Sequence, residues 1–115
     1  MISDMKKLAL QQLSDYRNNN PGTCFEDLDF ILDMNSAYEL QDTVTDLRVT
    51  EGEDIIGYKV GCTGSGTIGQ FGMKGPIRGT LFGSELLRNK AELDFNLFNN
   101  LAIEGEMAVK IGANG

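Results

Sequence analysis

Two acids near the end of the chain, Glu104 and Glu106, are separated by a single glycine within residues 101–111, a run otherwise made of Leu, Ala, Ile, Met, Val and one Lys. Side chains on a strand alternate faces with a period of 2. A strand here puts Leu101, Ile103, Met107, Val109 and Ile111 on one apolar face. Glu104 and Glu106 share the other face with Ala102 and Ala108. Adjacent carboxylates repel unless a cation sits between them, and a hard divalent ion with oxygen ligands is the usual answer. The plainer alternative is a solvated face on which Lys110 supplies a weak ion pair.

A second candidate is Lys59, in the run Ile55-Ile56-Gly57-Tyr58-Lys59-Val60-Gly61. On a strand, Ile56, Tyr58 and Val60 point one way, and Ile55, Gly57, Lys59 and Gly61 the other. Lys59 is then flanked on its own face by two residues without side chains, which leaves room for a ligand at its ammonium. A lysine whose pKa shifts can bind a carboxylate or move a proton. A solvent-facing lysine that protects an edge strand fits the same pattern.

Composition limits the chemistry available. The 115 residues suit one domain of ordinary size, and 41% hydrophobic content supports a core. A net charge of -7 argues against nucleic acid or an anionic membrane as partner and permits a cation site. With no His, the Ser-His and Cys-His catalytic pairs and most zinc sites are excluded. Cys24 and Cys62 are too few for a disulfide framework and fit a reducing cytoplasm. No apolar run approaches the ~20 residues of a membrane span, and the N-terminus lacks the apolar core of a signal peptide.

The elements that must position these residues follow from periodicity. Met5, Leu8, Ala9, Leu13 and Tyr16 recur at helical spacing, with Ser3 or Asp4 as N-cap and 18–22 as the stop. A second helix is expected over about 36–48, with Ala37, Leu40, Val44 and Leu47 as its stripe, Asp33 or Asn35 as cap and Glu51-Gly52 as its end. Ten of the 14 glycines fall between Gly52 and Gly83, so the chain divides into an N-terminal helical region, 1–52, and a β region, 53–115. In the β region, 55–60 reads as a strand, 61–75 as a glycine-rich loop and 80–82 as a short extended piece. Residues 91–95 read as a weaker strand and 98–111 as the longest one.

Gly64-Ser65-Gly66-Thr67-Ile68-Gly69 is a literal G-x-G-x-x-G after a strand, and Glu85 lies near where a ribose-binding acid would fall. Gly72, Gly75 and Pro76 cut any following helix short within about two turns. The glycines fit a flexible turn-rich loop better than a dinucleotide site.

Four segments in series carry a family resemblance. They are Ala37-Tyr38-Glu39-Leu40-Gln41, Gly57-Tyr58-Lys59-Val60-Gly61-Cys62-Thr63, Gly79-Thr80-Leu81-Phe82 and Ile103-Glu104-Gly105-Glu106-Met107-Ala108. In this order and spacing, over about residues 36–112, the chain resembles the 2-keto-4-pentenoate hydratase / 4-oxalocrotonate decarboxylase group of the fumarylacetoacetate hydrolase superfamily. The resemblance implies an α+β fold in which an N-terminal helical unit leads into a mixed β-sandwich roll. It implies Mg²⁺ or Mn²⁺ held by Glu104 and Glu106 and chelating a short 2-keto acid, with Lys59 in the active site as proton carrier or cationic anchor. The activity implied is that of a hydratase or decarboxylase of aromatic-compound degradation, in a cytoplasmic homo-oligomer.

The pattern is also incomplete. An acidic pair precedes the Gly-Thr-Leu-Phe segment in many relatives, and here Gly75-Pro76-Ile77-Arg78 stands there. Arg78 is a candidate fork for an anionic group of the substrate, with Thr63 as a second substrate contact. Relatives continue past this chain's last residue with a third carboxylate ligand, so the expectation is a truncated roll. The competing reading is a non-catalytic family fragment that acts through self-association or partner binding.

Overall fold

The computed structural model describes residues 4–20, 22–26 and 32–113. Helix α1 (Asp4–Arg17) begins on an acidic residue and ends on a basic one, which suits the helix dipole at both ends. Of its two expected caps, Ser3 lies outside the described residues. Ala9 and Leu13 are buried where α1 packs on α2 (Met34–Thr50), which contributes the buried Leu40. Asp33 caps α2, accepting from the Ser36 backbone N–H at 2.8 Å. Glu51 and then Gly52, at φ 100°, end it as expected.

The buried Asp15 folds the next stretch back onto α1. Its carboxylate accepts from the backbone N–H and hydroxyl of Thr23, at 2.8 and 2.7 Å, and from the Gln11 amide at 2.9 Å. This fixes a 3₁₀ turn at Thr23–Phe25. Those hydrogen bonds, the Thr23 hydroxyl first, hold the Asp15 carboxyl below the usual carboxylate range.

Strand β1 (Ile55–Gly61) pairs antiparallel with β2 (Ile77–Phe82), with Tyr58 opposite Thr80, Lys59 opposite Gly79 and Val60 opposite Arg78. Helix α2 lies along β2 in step with it. The Gln41 amide donates to the Arg78 carbonyl at 3.0 Å, and the Thr45 and Thr80 hydroxyls meet at 3.4 Å. The Arg48 guanidinium stacks 3.5 Å from the Phe82 ring centroid. Four helical residues rise about 6 Å and two strand residues about 6.6 Å. Helix positions i and i+4 therefore match strand positions i and i+2, and the long Arg48 side chain spans the remaining offset of about 3 Å to reach Phe82.

This row ends in a cluster of charge. Arg48, 8% exposed, donates two hydrogen bonds to Glu53, at 2.9 and 2.6 Å, and one to Glu85 at 2.9 Å. The Tyr16 hydroxyl donates to Glu85 at 2.7 Å, and the Ser84 hydroxyl to Glu53 at 2.7 Å. The cluster thus ties α1, α2, the start of β1 and the end of β2. Hydrogen bonds from Arg48 and then Ser84 pull the Glu53 carboxyl down to about 2. Burial opposes the Arg48 charge, but the bonds to Glu53 and Glu85 outweigh it and raise its pKa further.

Three expectations need correction. The glycine loop contains a helix, α3 (Ser65–Phe71), which starts after Gly64 and ends where Gly72 turns left-handed at φ 63°. It is two turns long, the limit that the glycines imposed. Residues 91–95 form no strand, and a 3₁₀ turn at Phe95–Leu97 follows, capped by Asp94. Residues 98–111 join no sheet, so in place of the expected roll the described residues form one two-stranded sheet. A strand needs a neighbour offering open backbone groups, and this run meets none among the described residues. Its apolar side chains stay in solvent, with Ile103, Met107 and Val109 exposed at 91%, 95% and 82%. None of the described helices is long and apolar enough to cross a membrane.

Replacing Arg48 strands two acids in a partly buried site. Arg48→Met should lower stability by about 2–3 kcal/mol in urea unfolding, whereas Met107→Ser should stay within about 0.5 kcal/mol of wild type. Glu53 also gives a pH signature. Its folded pKa is depressed, so its stabilisation is present above the ordinary carboxylate value, 4.5, and is lost as pH falls towards 2. Melting temperature should drop through that window, and Glu53→Gln should make the drop shallower.

Candidate functional site

Lys59 sits mid-strand on β1, and the expected alternation holds from Gly57 to Gly61, but an irregularity between Ile55 and Gly57 sets Ile55 opposite Phe82, on the face away from Lys59 and not beside it as expected. Gly57, Lys59 and Gly61 form the less exposed row, while Ile56, Tyr58 and Val60 stand out in solvent because α2 covers β2 and not β1. Across the ladder, Lys59 faces Gly79. Its frame is therefore three glycines. A Cβ placed on Gly57 or Gly79 would meet nothing within 4 Å, and one on Gly61 would touch Ile77 at 3.5 Å. The space beside the lysine stem is open along the strand and across it.

Both acids of the 101–111 run reach the lysine. The Lys59 ammonium donates a hydrogen bond to Glu106 and lies 3.5 Å from Glu104 Oε2. The two carboxylates converge on one cationic point although their segment joins no ladder. The cation that meets them is Lys59 and not Lys110. The Glu106 hydrogen bond, helped by Glu104, raises the Lys59 pKa, which keeps the ammonium charged at neutral pH. The three side chains are 41%, 74% and 52% exposed, so water screens the pairs and limits what they add to stability.

An arrangement that holds an ammonium between two carboxylates also suits a small divalent ion. Among the described residues no group of three or more acids, cysteines or histidines could hold a metal. Mg²⁺, however, is commonly held by one or two carboxylates, with water and ligand oxygens filling the remaining positions. Glu104 and Glu106 fit that smaller requirement.

The other expected substrate contacts lie elsewhere. Arg78 pairs with Val60, so its side chain leaves β2 on the face opposite Lys59. There α2 holds it: Gln41 Oε1 accepts at 3.3 Å, Asp42 Oδ1 at 3.4 Å, and the Tyr38 ring lies under the guanidinium at 5.0 Å. Arg78, expected as a fork for an anionic group of the substrate, thus lies on the face away from Lys59, because alternation along β2 turns it toward the helix. Thr63 is exposed just beyond β1, after a turn in which Cys62 adopts φ 52°. No contact joins it to Lys59 among the described residues. Both cysteines are free and half-buried.

Gly79 was legible only as part of a motif. Its place opposite Lys59 depends on strand register, which the chain does not spell out locally. The Arg48 cluster has no local signal either, since Tyr16 and Glu85 are 69 residues apart.

No family model matches the chain, and no curated protein matches it. Among solved structures it is similar to the 4-oxalocrotonate decarboxylase from Pseudomonas putida G7 complexed with magnesium and adipate, at 22% identity and a TM-score of 0.64. The similarity covers 73% of this chain and 33% of that one, so the chain spans about one third of that structure's length. The likeness shows a fold shared over that part of the chain.

Proposed function

We propose that this chain carries part of the site of a divalent-metal-dependent lyase, a hydratase or decarboxylase acting on short 2-keto acids. One observation carries the reading: two carboxylates meet at a single cationic point, the ammonium of a lysine framed by glycines. The fold shared with a decarboxylase whose structure holds magnesium supports it, as does the order of the four sequence motifs. Mg²⁺ or Mn²⁺ is the cofactor proposed, and a 2-keto acid the substrate class.

Glu104 and Glu106 would hold the ion. When bound, a divalent cation steadies the negative charge that builds on a 2-keto group as a neighbouring bond to hydrogen or carbon breaks. The chain's own contribution lies in Lys59 and its surroundings. The open space at Gly57 and Gly79 lets a planar acid approach the ammonium edge-on. The ammonium, charged at neutral pH, can anchor the substrate carboxylate or donate a proton to carbon as the bond breaks. The roles of Arg78 and Thr63 as substrate contacts gain no support from the geometry.

Titrating Mn²⁺ into the folded chain by calorimetry, with oxalate as a planar 2-keto-acid mimic, should give saturable binding. That binding should weaken by at least about tenfold when Glu104 and Glu106 become Gln. Unchanged affinity in the double variant would remove the metal assignment.

A second reading, an oligomerising role without catalysis, draws on a different observation. Ile103, Met107 and Val109 form an exposed apolar row next to the acids. On this reading sedimentation velocity shows a concentration-dependent oligomer that Met107→Asp with Val109→Asp converts to monomer, and Mn²⁺ affinity is indifferent to those changes. A monomer at every concentration would eliminate it.

A further inference from the structure

Resting on the metal reading just given, we infer that Lys59 is a built-in occupant of the cation position, and that a divalent ion loads only as the ammonium swings out from between Glu104 and Glu106. The geometry forces a choice between two cations. The carboxylate oxygens that accept from the ammonium are the ones that face a common point. A divalent ion at that point needs its oxygens at about 2.0–2.1 Å in a strict arrangement. It would also place two positive charges within a few ångströms of a third. The ammonium and the metal are alternative occupants.

The structure supplies the room for the exchange. Lysine carries its charge on a flexible four-carbon stem, and a Cβ at Gly57 or Gly79 would find nothing within 4 Å. The glycine frame gives the ammonium somewhere to go along the strand or across it. With Lys59 in place, the acids share one positive charge and weakly tether residues 101–111 to β1. With metal in place, the same ammonium is released beside the ion, where the substrate carboxylate has to bind. Loading and the availability of Lys59 become one event.

Two measurements on the full 115-residue chain test this. In the first, lysines are pulse-labelled with an amine-reactive acylating reagent and quantified by mass spectrometry, with and without saturating Mn²⁺. Lys59 should label several-fold faster with Mn²⁺ and approach its rate in the Glu104→Gln, Glu106→Gln double variant, while Lys90 and Lys110 should not change. An unchanged Lys59 rate at Mn²⁺ concentrations where calorimetry shows binding would overturn the inference and leave the metal site standing.

In the second, Lys59→Met should bind Mn²⁺ about three- to tenfold more tightly than wild type, the factor expected for removing two half-exposed ion pairs. Equal or weaker binding would overturn the inference. Binding by Lys59→Met alone would support it in its strongest form. Absence of binding by both chains, each folded by circular dichroism, would overturn the metal reading and this inference with it.

Discussion

The alignment of α2 with β2 is the contact from which the rest of the described structure follows. Gln41, Thr45 and Arg48 meet Arg78, Thr80 and Phe82 in order: the rise of four helical residues nearly equals that of two strand residues for the first step, and the length of the arginine side chain covers the shortfall in the second. The row is polar for most of its length and ends on a guanidinium sandwiched against an aromatic ring. Few apolar side chains are buried: Ala9, Leu13, Leu40 and Phe82 make up the core of the described residues. With so little apolar area, directional contacts have to fix how the helices sit on the hairpin. Arg48 does this best, since one planar fork bonds Glu53 and Glu85 while its face lies on Phe82.

That arrangement decides which face of the hairpin is left for chemistry. Alternation along β2 turns Arg78, Thr80 and Phe82 toward α2, so Gly79 and its partner Lys59 must turn away from it. A single-residue slip of the pairing would exchange the two faces. Lys59 would then point at the helix, and Val60 would meet the acids. The Arg48 cluster, whose Phe82 contact lies three residues or about 10 Å along β2 from Gly79, helps hold the register on which the candidate site depends without touching it.

Much of this was legible in the chain. The stripes of α1 and α2, the Asp33 cap and the Gly52 stop are local signals, and local signals survive folding. Lys59 between Gly57 and Gly61 could be read because a strand has period 2 whatever its partner. The convergence of Glu104 and Glu106 could also be read, because an i, i+2 pair shares a side in any extended run. The strand reading of 98–111 went wrong because alternation records a preference for two environments and not the presence of a ladder. The face that Arg78 takes was not legible for a related reason: its type fits an anion site, but its face is set by register, which appears only when Gly79 is seen opposite Lys59. The Arg48 cluster was invisible because its members come from four separate segments.

The lysine between the two acids also bears on why residues 101–111 lie where they do. The run forms no ladder and buries little apolar surface, so neither of the usual forces of sheet formation holds it. Exposed ion pairs each contribute only about 0.2–1 kcal/mol, enough to bias a segment and too little to lock it. A divalent ion binding the same two carboxylates would replace that weak tether with a stronger one, and it would do so without disturbing the α2–β2 row on the opposite face. The described structure therefore separates its tasks by face. The helix side carries the rigid contacts that set the register. The lysine side carries weak ion pairs that water screens.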